Sequence, residues 1–155
     1  VRYLNVDIDT IKEAAIKTIK GKEVVWFGCD VGKQLDGNLG ILDLNLYDDD
    51  LLGNAGCKLN KAQRLDYNES RMNHAMVLTA VDLDKKGKPV RWLIENSWGD
   101  KNEGKGFLTM TDEWFSEYTY EVAVNKKYLS EKLKKVLKTK LIELKPWDPM
   151  GSLAK

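Results

Sequence analysis

The chain has 155 residues, with 25 Lys and Arg against 24 Asp and Glu. That balance provides no basic excess for a nucleic-acid footprint, no apolar run approaches the roughly 18 residues that cross a bilayer, and no signal-peptide core opens the chain. Two cysteines, Cys29 and Cys57, are too few for a disulfide framework, and one histidine argues against a His-based metal centre. The expectation is one domain with two reduced cytosolic thiols, no metal and no cofactor.

Residues 8–20 (IDTIKEAAIKTIK) read as an amphipathic helix. Ile8, Ile11, Ala15, Ile16 and Ile19 keep the i, i+3, i+4 rhythm, Asp7 or Asp9 caps the start, and Gly21 stops it. Residues 23–29 (EVVWFGC) read as a strand. Residues 30–60 are rich in Gly, Asn and Asp and predict a long loop region with at most one short helix. The acidic run 48–50 (DDD) lacks the spacing of a calcium loop and reads as a solvated loop. HAMVLTAVDL from His74 is a strong strand, KKGK with Gly87 is a turn, and VRWLIENSW returns as the second arm of an antiparallel hairpin. GFLTM is a further strand, DEWFSEY a short helix opened by Thr111 or Asp112, and TYEVAV a fourth strand in this half. Residues 130–139 predict a helix capped by Ser130, and the tail LKPWDPMGSLAK carries two prolines and no period. The sum is α+β, with an antiparallel sheet at its centre and flanking helices.

The hairpin brings the only histidine toward one asparagine. With the turn near residues 85–87, His74 falls opposite or diagonal to residues 96–98, within reach of a cross-strand contact. Alternation puts Trp92, Ile94 and Asn96 on one face. An Asn carbonyl that accepts from one ring nitrogen fixes the imidazole tautomer and leaves the other nitrogen for a thiolate or a proton. Trp98 is placed to cover that bond. The plainer reading of a lone His at the head of a strand is a satisfied structural residue.

The wording of the strands decides between these readings. SRMNHAMVLTAVDLD followed by RWLIENSWGDKNEGKGFLTM resembles the histidine and asparagine motifs of papain-like cysteine peptidases. TDEWFSEYTYEVAVNKKYL and the closing KPWDPMGSLAK look like the bleomycin hydrolase and bacterial aminopeptidase C branch. The resemblance runs over residues 1–155 and is strongest from Ser70 onward. It implies the β-rich half of a papain-like fold, with His74 as general base and Asn96 orienting it. The family's nucleophilic cysteine is followed by Trp and preceded by a Gln of the oxyanion hole. Cys29 is followed by Asp30 and Cys57 by Lys58, and six residues before them stand Glu23 and Leu51. A thiolate beside Asp30 is also disfavoured. The expectation is that nucleophile and Gln belong to an N-terminal region outside this chain, which alone is inactive. The resemblance further implies a cytoplasmic aminopeptidase acting on peptides. It implies a homo-hexamer, with the C-terminal residues Ala154 and Lys155 in the cleft. There a terminal carboxylate meets the substrate's amino group, from Ala154 if Lys155 is trimmed. A nucleic acid would meet the chain at the Lys-rich stretch 126–140, which otherwise reads as a solvated helix face. The competing expectations are a non-catalytic folding, oligomerisation or binding module on a peptidase scaffold, and Cys29 or Cys57 acting as nucleophile in place.

Overall fold

The computed structural model describes residues 2–47, 59–101, 104–145 and 147–148. The run 48–50, Cys57, Ala154 and Lys155 lie outside the described residues. Chain order is α1 (Ile8–Lys20), β1 (Val25–Cys29), β2 (Leu35–Asp36), β3 (Ile41–Leu42), α2 (Lys61–Asp66), β4 (His74–Leu83), β5 (Pro89–Glu95), β6 (Phe107–Thr111), α3 (Asp112–Tyr118), β7 (Thr119–Ala123) and α4 (Glu131–Val136). A 3₁₀ turn at Lys126–Tyr128 precedes α4.

Local chemistry sets the element ends. Asp7 caps α1, accepting from the Thr10 N–H at 2.7 Å. Thr111 caps α3 by accepting from Trp114 N–H, and Ser130 caps α4. The hairpin turn is held by Asp84, whose Oδ1 accepts from the N–H groups of Lys86 and Lys88, both at 2.8 Å. α4 is shorter than the helix expected at 130–139, because its last residues run into turn geometry after Val136.

The seven strands form one sheet in the order β2-β3-β6-β5-β4-β1-β7. It is mixed rather than antiparallel throughout. β3 runs parallel to β6, with Ile41 beside Thr109 and Leu42 beside Met110. The reason is tertiary. The stretch read from sequence as loop contains two-residue strands, and the Asp36 turn delivers β3 to the free edge of β6. There the Gly40 carbonyl accepts from Thr109 N–H at 2.8 Å. A second element also escaped the sequence reading. α2 is opened by a reciprocal Asn60–Gln63 capping box.

One face of the sheet is buried against α1 and α3. Met76 and Leu78 of β4, Trp92 and Ile94 of β5, and Leu108 and Met110 of β6 alternate inward. They meet Ala15, Trp114 and Phe115. Phe115 is the hub, with ring centroids 4.8 Å from Trp92 and 6.5 Å from Phe27. Polar tips are satisfied at the margin of this core. Trp92 Nε1 donates to Asp112 at 3.1 Å, and Asp112 also accepts from Lys12 at 2.5 Å. α2 supports α3 from below. Lys61 donates to the Ser116 and Thr119 carbonyls, and Arg64 to the Glu117 carbonyl and carboxylate. These are cations at a helix C-terminus, where the helix dipole favours them.

Candidate active site

The inward stripe of β4 and β5 does not stop where the helices stop. On β4 it runs Leu78, Met76, His74; on β5 it runs Trp92, Ile94, Asn96. The register pairs Val77 with Glu95 and Leu78 with Ile94. Continued by the same step, it sets Met76 across from Asn96 and His74 on the diagonal. That diagonal is within side-chain reach, and the contact is made: His74 Nε2 lies 2.9 Å from Asn96 Oδ1.

The chemistry of the acceptor fixes the tautomer. Asn96 Oδ1 also accepts from the Ser97 N–H at 2.8 Å, which identifies that end of the amide as oxygen. An oxygen that only accepts requires His74 Nε2 to carry a proton. In the neutral ring the lone pair therefore sits on Nδ1. Among the described residues nothing hydrogen-bonds Nδ1. Trp98 stands over the imidazole with ring centroids 4.9 Å apart and planes tilted by 32°. Its outer face stays open, with 52% of the residue exposed. It thus covers the His74–Asn96 bond on one side without closing the site.

Asn96, Gly99 and Gly106 lie close together behind the histidine. Asn96 N–H donates to the Gly106 carbonyl at 2.9 Å. Gly99 and Gly106 both adopt positive φ, at 84° and 91°. A Cβ on Gly106 would press on the Gly99 carbonyl, so the turn that returns β5 to β6 depends on glycine there. Asn96 Nδ2 is buried and has no hydrogen-bond partner among the described residues.

Cys29 is the cross-strand partner of His74 on the other side of β4. It is fully buried, and burial followed by the nearby Asp30 charge pushes its thiol pKa up. Such a thiol is protonated and inert, which removes it as a nucleophile in place. Met72, two residues before His74, lies across Gly28, where any Cβ would collide with its sulfur. The sequence reading missed the groups that hold this approach to His74: Asp30, Ser70, Asn73 and Tyr120. Their one sequence signal was the polar S-R-M-N run directly before an apolar strand.

Among the described residues no three His, Cys, Asp or Glu side chains gather to hold a metal ion. Among the same residues no helix is long and apolar enough to cross a membrane.

Comparison with known proteins gives a consistent answer. The model of the Peptidase C1-like family matches residues 1–151. Bleomycin hydrolase of Rattus norvegicus is 50% identical over 155 residues, which is 98% of this chain and 34% of the rat protein. Aminopeptidase C of Lactobacillus delbrueckii subsp. lactis is 50% identical over 157 residues, 99% of this chain and 35% of that protein. The crystal structure of pepw from Lactobacillus rhamnosis superposes with a TM-score of 0.92 at 53% identity, covering 97% of this chain and 34% of that one. The chain thus spans about a third of the length of the relatives it matches. With this sequence match and this α+β fold, the chain belongs to the Peptidase C1-like family of papain-like cysteine peptidases.

Proposed function

We propose that this chain is the histidine- and asparagine-bearing C-terminal part of a thiol aminopeptidase whose cysteine nucleophile and oxyanion-hole Gln lie outside the given sequence. The observation that carries the reading is the 2.9 Å contact of His74 Nε2 with Asn96 Oδ1, which leaves Nδ1 as the basic nitrogen. Relatives named bleomycin hydrolase and aminopeptidase C, of which the chain covers about a third, support it.

The steps follow from that tautomer. Nδ1 takes the thiol proton, and the thiolate attacks the scissile carbonyl of a bound peptide. Asn96 holds the imidazolium by accepting from Nε2, and Trp98 limits water at that bond. The imidazolium then returns its proton to the leaving amine, and the scissile C–N bond breaks. Water, deprotonated by the same nitrogen, hydrolyses the thioester and regenerates the thiol. Restriction to N-terminal residues comes in this proposal from the C-terminal carboxylate of Lys155, or of Ala154 after trimming. It pairs with the substrate's free amine and sets the register of cleavage. A cytoplasmic homo-hexamer remains the assembly that the family likeness favours.

An active-site-directed epoxide tests the reading. The protein encoded by the whole reading frame should label at one cysteine outside this segment and release N-terminal residues from peptides. This chain alone should not label. His74→Ala in the whole protein should remove both labelling and hydrolysis, by about 10⁴-fold or more. Hydrolysis that survives His74→Ala, or labelling of Cys29, overturns the proposal. No labelling of the whole protein at any cysteine makes it a non-catalytic scaffold.

A further inference from the structure

The approach to β4 holds a buried carboxylate that the proposed chemistry does not use. Asp30 follows β1 directly and is only 4% exposed. Both of its oxygens are engaged. Oδ1 accepts from Asn73 Nδ2 at 2.5 Å; Oδ2 accepts from Ser70 Oγ at 2.8 Å and Arg71 N–H at 3.3 Å. Ser70 Oγ also lies 2.5 Å from the Tyr120 hydroxyl on β7, and Asp30 N–H donates to the Tyr118 carbonyl at 3.0 Å. Among the described residues no Lys, Arg or His forms a salt bridge with Asp30. A carboxylate buried without a cation is costly, and packing alone would be served as well by an apolar side chain.

The bonds converge on one residue. Asn73 donates to Asp30 through Nδ2, accepts from the Val31 N–H on Oδ1 at 3.0 Å, and donates through its own N–H to the Cys29 carbonyl at 3.0 Å. Three atoms of Asn73 are thus fastened to residues 29–31, and His74 is the next residue. Among the described residues the imidazole has one hydrogen bond of its own, to Asn96, and one ring above it. Its location is therefore inherited from the backbone that enters β4.

The geometry points to Asp30 as a positioning residue for the reaction: through Asn73 it sets the start of β4 and so the place of the His74 ring relative to Asn96 and the bound peptide. This rests on the reading of His74 as the catalytic base. Asp30 is buried among Asn73, Ser70 and Arg71 and bonds to no atom of His74 or Asn96. It acts by holding the base in its productive place, where a displacement of about 1 Å costs up to a hundredfold in rate.

The test uses the protein encoded by the whole reading frame. Asp30→Asn presents an N–H₂ or a weaker acceptor where Asn73 needs a carboxylate oxygen. It should lower kcat about tenfold with KM within about twofold of the parent. Asn73→Ala leaves the Ser70 and Arg71 bonds of Asp30 intact and cuts the Asp30 link to β4 together with the bond from the Val31 N–H. It should give the same kcat loss, again with KM within about twofold, while the protein still folds at a melting temperature lowered by a few degrees. The exchange variant, Asp30→Asn with Asn73→Asp, rebuilds a carboxylate–carboxamide bond with the donor reversed. It should return kcat to within about threefold, a recovery that a role in stability alone does not predict. The proposal is overturned if folded Asn73→Ala or Asp30→Asn keeps full kcat, or if the exchange variant folds and stays as slow as the single ones. An Asp30→Asn protein that fails to fold leaves the decision to Asn73→Ala. Activity that persists in His74→Ala strikes the active-site reading itself. An inactive His74→Ala beside fully active Asp30→Asn and Asn73→Ala strikes only this inference.

Discussion

The β4–β5 hairpin contains two regions made from one alternating stripe. In its middle, Met76, Leu78, Trp92 and Ile94 are almost wholly buried, and Trp92 stacks on Phe115 and anchors its indole N–H on Asp112. At its open end the same stripe continues as His74 and Asn96, with one side-chain bond between them and a half-exposed Trp98 above. The middle is densely packed: its large side chains belong to one buried cluster. The open end is sparse: the imidazole relies on one carbonyl oxygen, one ring and the backbone before it. Strand parity thus carries a core stripe straight into the proposed site, and the change of role occurs where full burial gives way to partial exposure.

The difference is sharpest for truncation of the hub. Phe115→Ala should cost about 3–5 kcal/mol of unfolding free energy, because Trp92 and Phe27 both lose their stacking partner and a cavity remains. Denaturant titration of the whole protein should show that loss, while epoxide labelling per folded molecule stays near the parent value. A loss below about 1 kcal/mol would mean that the middle of the hairpin is no more tightly packed than the end.

Trp98→Ala probes the sparse region. A half-exposed side chain over a polar pair contributes little to stability, so the unfolding free energy should move by no more than about 0.5 kcal/mol. Opening the His74–Asn96 bond to water should lower kcat/KM about tenfold, and Trp98→Phe should recover most of it. If stability falls and turnover does not, the two regions are not divided as described.

Much of this division was legible in the sequence. Alternation alone aligned Trp92, Ile94 and Asn96, and the hairpin turn at Gly87 then set His74 on the same face. The sequence offered Asp7 or Asp9 and Thr111 or Asp112 as caps, and the structure uses Asp7 and Thr111; such signals are legible because a cap acts on N–H groups only a few residues away. The illegible parts depend on contacts that no local window holds. The strands at Leu35–Asp36 and Ile41–Leu42 exist only because β6 offers an edge. α2 is too short for a hydrophobic period, and its one signature was the Asn60–Gln63 box. Asp30 meets Ser70 and Asn73 across some forty residues of chain, so a polar residue beside Cys29 gave no hint of its partners.

The smallest of the expected effects concerns the polar underside of the core rather than the site. Lys61 donates to the Ser116 and Thr119 carbonyls at 2.7 and 2.5 Å and lies 5.1 Å from the Tyr120 ring centroid. Burial nevertheless pulls its pKa from 10.5 down to about 8. Between those two values the unfolded chain binds the proton that the folded protein has released. The Lys61 contribution to unfolding free energy therefore rises with pH across that window. Cys29, whose thiol burial holds protonated, acts in the opposite direction from about pH 9, and Tyr118 and Tyr120, raised by burial, from about pH 10; both effects are common to the parent and Lys61→Met and cancel between them. Between pH 8 and 10 the parent should thus gain stability relative to Lys61→Met, on the order of 1 kcal/mol once solvent access is discounted. Parallel stability curves for the two proteins would show that Lys61 keeps its proton through its carbonyl bonds.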